Sequence, residues 1–347
     1  MDIRNRMVRN ARFENLEPLL SPIEAVGRFS GQWQRNVMLE PAAVKSLKRM
    51  IIATSAGAST RIEGADLNNQ QALDVIRKKK NPYEDRSAAE VLGYSEALQF
   101  ALRRQVADGP VLSQELIKQL HGKMMKYMKG TLSGRYRFTE VNVTDGRGGI
   151  LLVCALPDLI PAFMKNAVGR LVRDWRTADR SKLVIIADFI AEFLAIHPFE
   201  DGNGRCARLL TVMLLKMADH TYLEYTSLEE QIEKHKAQYY ISLNKTQKTG
   251  VLDGWVSFFL MTLREAQIDL EVRLKRKAPG LKDGSTFLMH ELMDIFKVRA
   301  TCTAGALVEL TGKSPAGVRK ALNHMVGKRI IRAYGKNRGR YYRYPAA

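Results

Sequence analysis

The feature that most constrains the fold is a stretch near the middle of the chain, "LVIIADFIAEFLAI", which is apolar on nearly every side. A helix that is apolar all round has to be buried, so other elements must surround it. The runs that have the length and spacing of helices are residues 41–59, 69–79, 87–104, 113–127, 156–175, 183–196, 205–218, 228–245 and 252–273. The sequence therefore predicts a mainly α fold, built around a buried central helix.

Strand patterns are confined to two places. Residues 141–153, "VNVTDGRGGILLV", hold two short apolar runs around a glycine-rich turn, which predicts a small β-hairpin. Near the end of the chain, "IIRAYG" and "RYYRY" form a second extended pair around "KNRG". Ser113 and Ser181 stand directly before helical runs, where a serine side chain favours the start of a helix.

The helical pattern ends in a stretch rich in charge, proline and glycine at residues 273–284. Such composition is typical of an interdomain linker. We therefore predict an N-terminal helical region over residues 1–110, a helical core over 111–272, and a separate small domain over 285–347.

Composition sets the class of protein. The chain has 347 residues, of which 46% are hydrophobic, enough for a substantial core. No apolar run is long enough for a membrane span, the N-terminus lacks the pattern of a signal peptide, and three distant cysteines favour a reducing compartment. We predict a cytoplasmic protein without a membrane partner. The 55 basic and 36 acidic residues leave a net charge of +19, which indicates either a polyanionic partner or a solubilising surface.

The polar segment "HPFEDGNGRCAR" joins two apolar helical runs. Gly202, Asn203 and Gly204 tolerate positive φ angles, so their backbone N–H groups can point inward at the start of the next helix. A helix N-terminus with free N–H groups is an anion site. Arg205 and Arg208 lie one turn apart on one face of that helix, where each guanidinium can bind phosphate oxygens.

Two arginines at a helix N-terminus oppose the helix dipole, which favours a bound polyphosphate. Asp201 is positioned to hold Mg²⁺ on the same phosphates, and His197 has the chemistry of a general base. Each feature alone commonly has only a structural role, whether it is a histidine at a helix end, a turn, or a pair of solvated arginines. Together they predict phosphoryl or nucleotidyl transfer to a hydroxyl.

The segment "HPFEDGNGRCAR" resembles the signature of the Fic (Fic/Doc) family, with every fixed position matched. The resemblance implies a Fic-type helical core over residues 111–272 and transfer of AMP from ATP to a Ser, Thr or Tyr hydroxyl of a protein. Gly204 stands where the Doc-type kinases carry lysine, which favours AMP transfer over phosphate transfer.

The resemblance also implies a role for each position of the segment. His197 would take the hydroxyl proton, and Asp201 would hold Mg²⁺. The remaining nucleotide-site residues are Phe199 as the anchor of the loop, Gly202, Asn203 and Gly204 as the phosphate cradle, and Arg205 and Arg208 on the β and γ phosphates.

A second segment, "STRIEG", places Ser59 and Glu63 on one helix face and Gly64 where a helix is commonly capped. By spacing alone Glu63 is a surface acid. The segment also resembles the inhibitory motif of the Fic subclass that carries an inhibitory helix ahead of the core. That resemblance implies that Glu63 pairs with Arg208 and occupies the space of the ATP γ-phosphate.

Two further parts of the chain resemble the family. The hairpin at residues 141–153 falls where the family has a flap that aligns the target segment, although an ordinary hairpin fits the sequence equally well. Tyr239 and Tyr240 lie in a segment that resembles the one closing on adenine, and at least one of them should belong to the core.

The segment after the linker reads as helix, helix, turn, helix and hairpin, which resembles a winged helix-turn-helix. Ser314 and Pro315 are suited to start its recognition helix. Its basic character suits DNA, while a protein-interaction module and an inert appendage remain alternatives. The first expected partner is a hydroxyl of a target protein, which includes this protein itself. DNA and a second copy of the chain, in a homodimer, are the other expected partners. The alternative function is a nucleotide-sensing, DNA-binding transcriptional regulator, or removal of AMP.

Overall fold

The computed structural model describes residues 11–36, 41–78, 85–104, 112–144, 150–177, 179–275, 288–289, 292–293, 295–296, 299, 301–328, 330–335 and 340–344. These residues form two compact units. The first falls within residues 1–36 and 52–267, and the second within residues 37–51 and 268–347. The domain limits that the sequence suggests, at residues 110, 272 and 284, stay predictions.

Helices dominate the chain up to residue 275, as predicted. They are α1 (Glu17–Asn36), α2 (Pro41–Ile62), α3 (Asn69–Lys78), α4 (Arg86–Arg103), α5 (Gln114–Met124), α6 (Ile160–Thr177), α7 (Lys182–Ile196), α8 (Asn203–Met217), α9 (Leu228–Lys234), α10 (Lys236–Thr249) and α11 (Asp253–Lys275). Short 3₁₀ turns cover Pro157–Leu159 and Thr221–Glu224.

Besides shifts of a few residues at the helix ends, the helices differ from the prediction in two respects. The sequence analysis missed α1, although Leu19, Val26, Phe29 and Trp33 repeat at helical spacing and are all buried. The single helix predicted over residues 228–245 is two helices, because the chain breaks at His235.

The central apolar helix, α7, is buried as predicted. Apart from Asp188, the residues from Leu183 to Ile196 are buried, and α6 and α8 contact α7. Ser113 caps α5, because its Oγ accepts a hydrogen bond from the Leu116 N–H at 3.1 Å. Ser181 precedes α7 but makes no such side-chain bond, so apolar burial fixes the start of α7.

The predicted hairpin is present as an antiparallel pair, β1 (Asn142–Thr144) and β2 (Ile150–Val153). Asn142 pairs with Val153, and the register shifts after Val143. The glycine-rich turn between the strands lies outside the described residues. A role as a flap stays a prediction.

The second unit contains β3 (Thr301–Thr303), α12 (Ala304–Thr311), α13 (Pro315–Gly327), β4 (Arg332–Tyr334) and β5 (Tyr341–Arg343). The three strands form one antiparallel sheet in the order β3-β5-β4. Ser314 starts α13 as expected, with its Oγ accepting from the Gly317 N–H at 3.2 Å. The two helices and the C-terminal hairpin follow the predicted order, whereas β3 was not predicted, and the winged-helix assignment stays a prediction. Residues 273–275 of the predicted linker belong to α11, whereas its remainder, 276–284, and the basic tip "KNRG" lie outside the described residues.

The three cysteines, Cys154, Cys206 and Cys302, are buried. Within the described part of the chain, every helix is too short or too polar to span a lipid bilayer. The cytoplasmic location and the homodimer stay predictions.

Candidate active site

The turn after α7 holds His197 in the left-handed region, with φ 54° and ψ 60°. A non-glycine residue persists there only when its surroundings fix it. The guanidinium of Arg137 provides this restraint: it donates to the carbonyls of His197 at 2.8 Å, Thr139 at 2.7 Å and Ala155 at 2.6 Å. The sequence analysis did not assign this role to Arg137, because the contact joins residues 60 positions apart.

The imidazole of His197 is held in one tautomer. Its Nδ1 lies 3.3 Å from the carbonyl oxygen of Leu194, and a carbonyl can only accept a hydrogen bond, so Nδ1 carries the hydrogen. Burial lowers the pKa of His197 to about 4, since the charged ring would lose its hydration. The ring is therefore neutral at neutral pH, and Nε2 has a free lone pair, as a general base requires.

The loop after His197 is fixed by its own polar groups. The side chain of Asn203 accepts from the Phe199 N–H at 2.9 Å and donates to the Phe199 carbonyl at 2.8 Å. Both polar atoms of Asn203 are thus engaged within the loop, and Gly202 adopts a left-handed φ of 80°. Asn203 shapes the cradle, and its predicted contact with phosphate stays a prediction. Phe199 is fully buried, and its role as the anchor of the loop stays a prediction.

His121, which the sequence analysis did not single out, supports the same loop. Its ring stacks on Phe199 with centroids 3.7 Å apart. Its Nδ1 accepts from the Gly134 N–H at 3.0 Å, so Nε2 carries the hydrogen and donates to the carbonyl of Asp201 at 2.9 Å. Burial lowers the pKa of His121 to about 4, which keeps this bridge neutral. A buried histidine on a helix gives no sequence signal for such a role.

Arg208 lies on the first turns of α8 and is 3% exposed. Its Nε donates to Ser59 Oγ at 2.8 Å, and its Nη2 donates to the Ser59 carbonyl at 2.9 Å and to Glu63 Oε1 at 2.7 Å. Its Nη1 is buried without a hydrogen bond of good geometry. Burial is the largest single influence and lowers the pKa of Arg208, but the charge and hydrogen bond of Glu63, together with other neighbouring groups, outweigh it and raise the pKa.

Glu63 lies over the N-terminus of α8. A Cβ atom at Gly204 would overlap Glu63 Oε1, so the carboxylate rests directly on that glycine. Helix α2 ends one residue before Glu63, and Gly64 follows with a left-handed φ of 99°, as the capping pattern predicts. The predicted contact between Glu63 and Arg208 is therefore present. The effect of this contact on activity stays a prediction.

Arg205 is 2% exposed and faces two carboxylates. It lies 3.2 Å from Glu90 Oε1 and 3.0 Å from Asp201 Oδ1, while its Nε has no partner. The sequence indicated that both arginines face the ligand. Arg208 borders the glycine cradle, whereas the guanidinium of Arg205 is used largely within the protein.

Asp201 is the predicted metal ligand. Its Oδ1 accepts from Arg205 and from the Gly202 N–H, and its Oδ2 lies 3.2 Å from Nη2 of Arg86. Among the described residues no group of three or more His, Cys, Asp or Glu side chains could hold a metal ion. A single carboxylate fits Mg²⁺, which is commonly bound by one or two carboxylates together with substrate phosphates. Asp201 is thus a suitable ligand once Arg86 turns away.

The two candidate tyrosines differ in exposure. Tyr239 is 3% exposed and packs edge to face against Trp255 at 5.6 Å, so it belongs to the core as expected of one of the pair. It also lines a cavity of about 20 Å³ beside Arg208, room for one water molecule. Tyr240 is 37% exposed and contacts the ring of Tyr239. Contact of either ring with adenine stays a prediction.

Residues 111–215, which contain this loop and both of its arginines, match the model of the Fic/DOC family. This segment is therefore similar to a Fic/DOC domain. The protein adenylyltransferase Fic of Nematostella vectensis is 30% identical over 151 residues, which are 39% of this chain and 33% of that protein. The chain thus spans a third or less of the length of the curated relatives it matches.

Solved structures resemble the fold of this chain. A Fic family protein from Desulfovibrio desulfuricans G20 gives a TM-score of 0.63 at 22% identity, covering 98% of this chain and 99% of that one. A fragment of Fic-1 from C. elegans gives a TM-score of 0.62 at 20% identity and covers 76% of each chain. At this identity the likeness shows the fold alone.

Proposed function

We propose that the protein transfers AMP from ATP to a Ser, Thr or Tyr hydroxyl of a protein, and that Glu63 restrains this transfer. The hydroxyl oxygen attacks the α-phosphorus, the bond from the α-phosphorus to the bridging oxygen breaks, and pyrophosphate leaves. The hydroxyl proton passes to Nε2 of His197. The curated relative named a protein adenylyltransferase supports this class of activity.

The observation that carries the proposal is the anion site at the start of α8. Arg208 is buried there with one N–H group unsatisfied, beside a glycine on which a carboxylate rests. A buried cation without a full set of acceptors favours an anionic ligand. The Glu63 carboxylate supplies one negative charge, and a triphosphate would supply several at the same helix N-terminus.

The Mg²⁺ ion would be held by Asp201, with ATP phosphates as its other ligands, and would neutralise charge on the leaving pyrophosphate. Arg86 is 72% exposed in its side chain, so it can leave the Asp201 carboxylate for solvent at little cost. The salt bridge from Arg205 then keeps the carboxylate oriented.

The restraint follows from a competition for Arg208. Glu63 Oε1 occupies an Nη2 donor of this arginine and covers Gly204, and a γ-phosphate would need the same donor and the same space. ATP would therefore bind productively only when Glu63 has moved. The motion requires the last turn of α2 to loosen.

A second ion pair holds that turn. Arg61 donates to Glu233 of α9 through two hydrogen bonds, Nε to Oε1 at 2.6 Å and Nη2 to Oε2 at 2.7 Å. Its Nη1 also donates to the carbonyl of Leu67 at 2.8 Å. This paired arginine lies two residues before Glu63, so it fixes the backbone that carries the inhibitory carboxylate.

We expect Arg61→Gln to raise self-labelling by ATP about threefold to tenfold, because a partly buried paired arginine contributes on the order of 1 kcal/mol to the restrained state. The control is Arg28→Gln, which removes an exposed ion pair with Glu24 on α1. Exchanging the charges, with Arg61→Glu and Glu233→Arg together, should restore the restraint. Labelling of Arg61→Gln at the wild-type level would contradict the proposal that the Arg61–Glu233 ion pair stabilises the restrained state.

The reaction class is tested by the position of the label. The Glu63→Gly variant is incubated with Mg²⁺ and ATP labelled at either the α- or the γ-phosphate, and incorporation into protein is counted. The proposal predicts retention of the α-label and release of the γ-label as pyrophosphate. Retention of the γ-label would indicate phosphate transfer instead. Release of AMP from modified protein, without incorporation, would indicate that removal is the activity.

A further inference from the structure

The second unit carries an unusual distribution of charge. Residues 311–347 contain ten Lys or Arg and no Asp or Glu. The unit has its own core, so the described basic residues of this segment lie on a folded surface. The buried core residues are Leu288, Met289, Leu292, Ile295, Phe296, Cys302, Leu307, Val318, Ala321, Leu322, Met325, Ile331 and Tyr342.

The solvent face of the sheet places two arginines side by side. Arg332 of β4 pairs directly with Arg343 of β5, and both side chains are exposed. Like charges opposite each other on a sheet destabilise it. On the other side Arg343 pairs with Thr301, which offers no negative charge. An anion that lies against this face would offset the repulsion.

The next row of the same face is aromatic. Tyr334 and Tyr341 form a cross-strand pair, with ring centroids 5.4 Å apart and an angle of 14° between the rings. They are 37% and 39% exposed. Tyrosine hydroxyls donate hydrogen bonds to phosphate oxygens in protein–DNA complexes, as do arginines. The face therefore combines two kinds of phosphate-binding side chain.

Helix α13 presents a second polar surface. Val318, Leu322 and Met325 are buried in the core of the unit. Its exposed polar side chains are Arg319, Lys320, Asn323 and His324, and the exposed Lys328 follows as the C-cap. An α-helix is about 10–12 Å across with side chains, which matches the width of the DNA major groove, about 12 Å. Arginine and asparagine are also the side chains that read guanine and adenine edges there.

We infer that the second unit binds double-stranded DNA, with α13 in the major groove and the Arg332–Arg343 pair on backbone phosphates. A helix with base-reading side chains favours a duplex over an acidic protein, for which an exposed asparagine and paired tyrosines offer no charge complement. The inference does not depend on the proposed AMP transfer.

The test is binding of the full-length chain to a fluorescent mixed-sequence duplex of about 20 base pairs, two helical turns, at several salt concentrations between about 50 and 200 mM. We expect Arg332→Gln with Arg343→Gln, and separately Arg319→Gln with Lys320→Gln, to weaken binding about tenfold. The Arg332 and Arg343 pair should also reduce the salt slope by about 2, since one phosphate contact contributes about 0.9. Arg332→Lys with Arg343→Lys keeps the charge and should retain the slope.

The matched control is Lys165→Gln with Arg176→Gln, two exposed cations of α6 in the first unit. This pair lowers the net charge equally and should leave DNA affinity unchanged. Equal weakening by the control would overturn the inference, since net charge alone would then explain binding. Binding to polyglutamate without binding to the duplex would also overturn it and assign the surface to an acidic protein. Thermal unfolding monitors the fold of every variant, and self-labelling by ATP should stay at the wild-type level.

Discussion

Replacing Glu63 with glycine is expected to raise the self-labelling of the protein by ATP about 10- to 100-fold, the equivalent of one charge-assisted hydrogen bond of about 1.5–3 kcal/mol. The substitution removes the Oε1 atom that lies 2.7 Å from Nη2 of Arg208 and clears the space over Gly204. Arg208 keeps its two hydrogen bonds to Ser59, so it stays oriented for a phosphate. The measurement is the initial rate of label incorporation from ATP labelled at the α-phosphate.

Two controls separate the parts of this effect. Glu63→Gln keeps the volume of the side chain and removes its charge, so an intermediate rate is expected if both charge and space matter. Glu14→Gly removes an exposed glutamate near the N-terminus, which pairs with Arg12, and should change nothing. Unchanged incorporation in Glu63→Gly would show that the contact with Arg208 is not a restraint.

Removing the base should abolish transfer. In the Glu63→Gly background, His197→Asn is expected to lower incorporation by about 10²–10⁴-fold, the usual contribution of a positioned general base. Asparagine is chosen because it tolerates the left-handed backbone of this position, whereas alanine would add strain. His197→Ala should give a similar loss, and His324→Ala, an exposed histidine of α13, should give none. Incorporation that persists in both His197 variants would exclude this residue as the base.

The pH profile gives a second measure of the same group. Protonated His197 cannot accept the hydroxyl proton, so the rate falls as pH falls through its pKa. Because burial lowers this pKa to about 4, kcat/KM of Glu63→Gly should be flat from pH 8 to about pH 5.5 and fall below that. An ordinary exposed imidazole would lose half of the activity near pH 6.5. A midpoint near 6.5 would mean that the base is not buried as described.

Much of the fold and the site was predictable because it is encoded locally. The apolar run around Ile190 predicted a buried helix, and the glycines of the following loop predicted a helix N-terminus with inward N–H groups. Helix α1 was also encoded, in the spacing of Leu19, Val26, Phe29 and Trp33, but was missed. Its apolar positions are separated by polar residues and a proline, so the run is less conspicuous.

The sequence by itself determined the chemistry: a histidine, a carboxylate, a glycine-rich turn and arginines within twelve positions, and a family resemblance that paired Glu63 with Arg208. Only the tertiary structure decided which of these side chains border the ligand site and which contact other groups of the protein. It placed the guanidinium of Arg205 against Glu90 and stacked the ring of His121 on Phe199. It also brought Arg137 to the carbonyl of His197, directly after α7. These contacts join residues 60 or more positions apart in the chain, and no local pattern specifies them, because they depend on how the helices pack around α7.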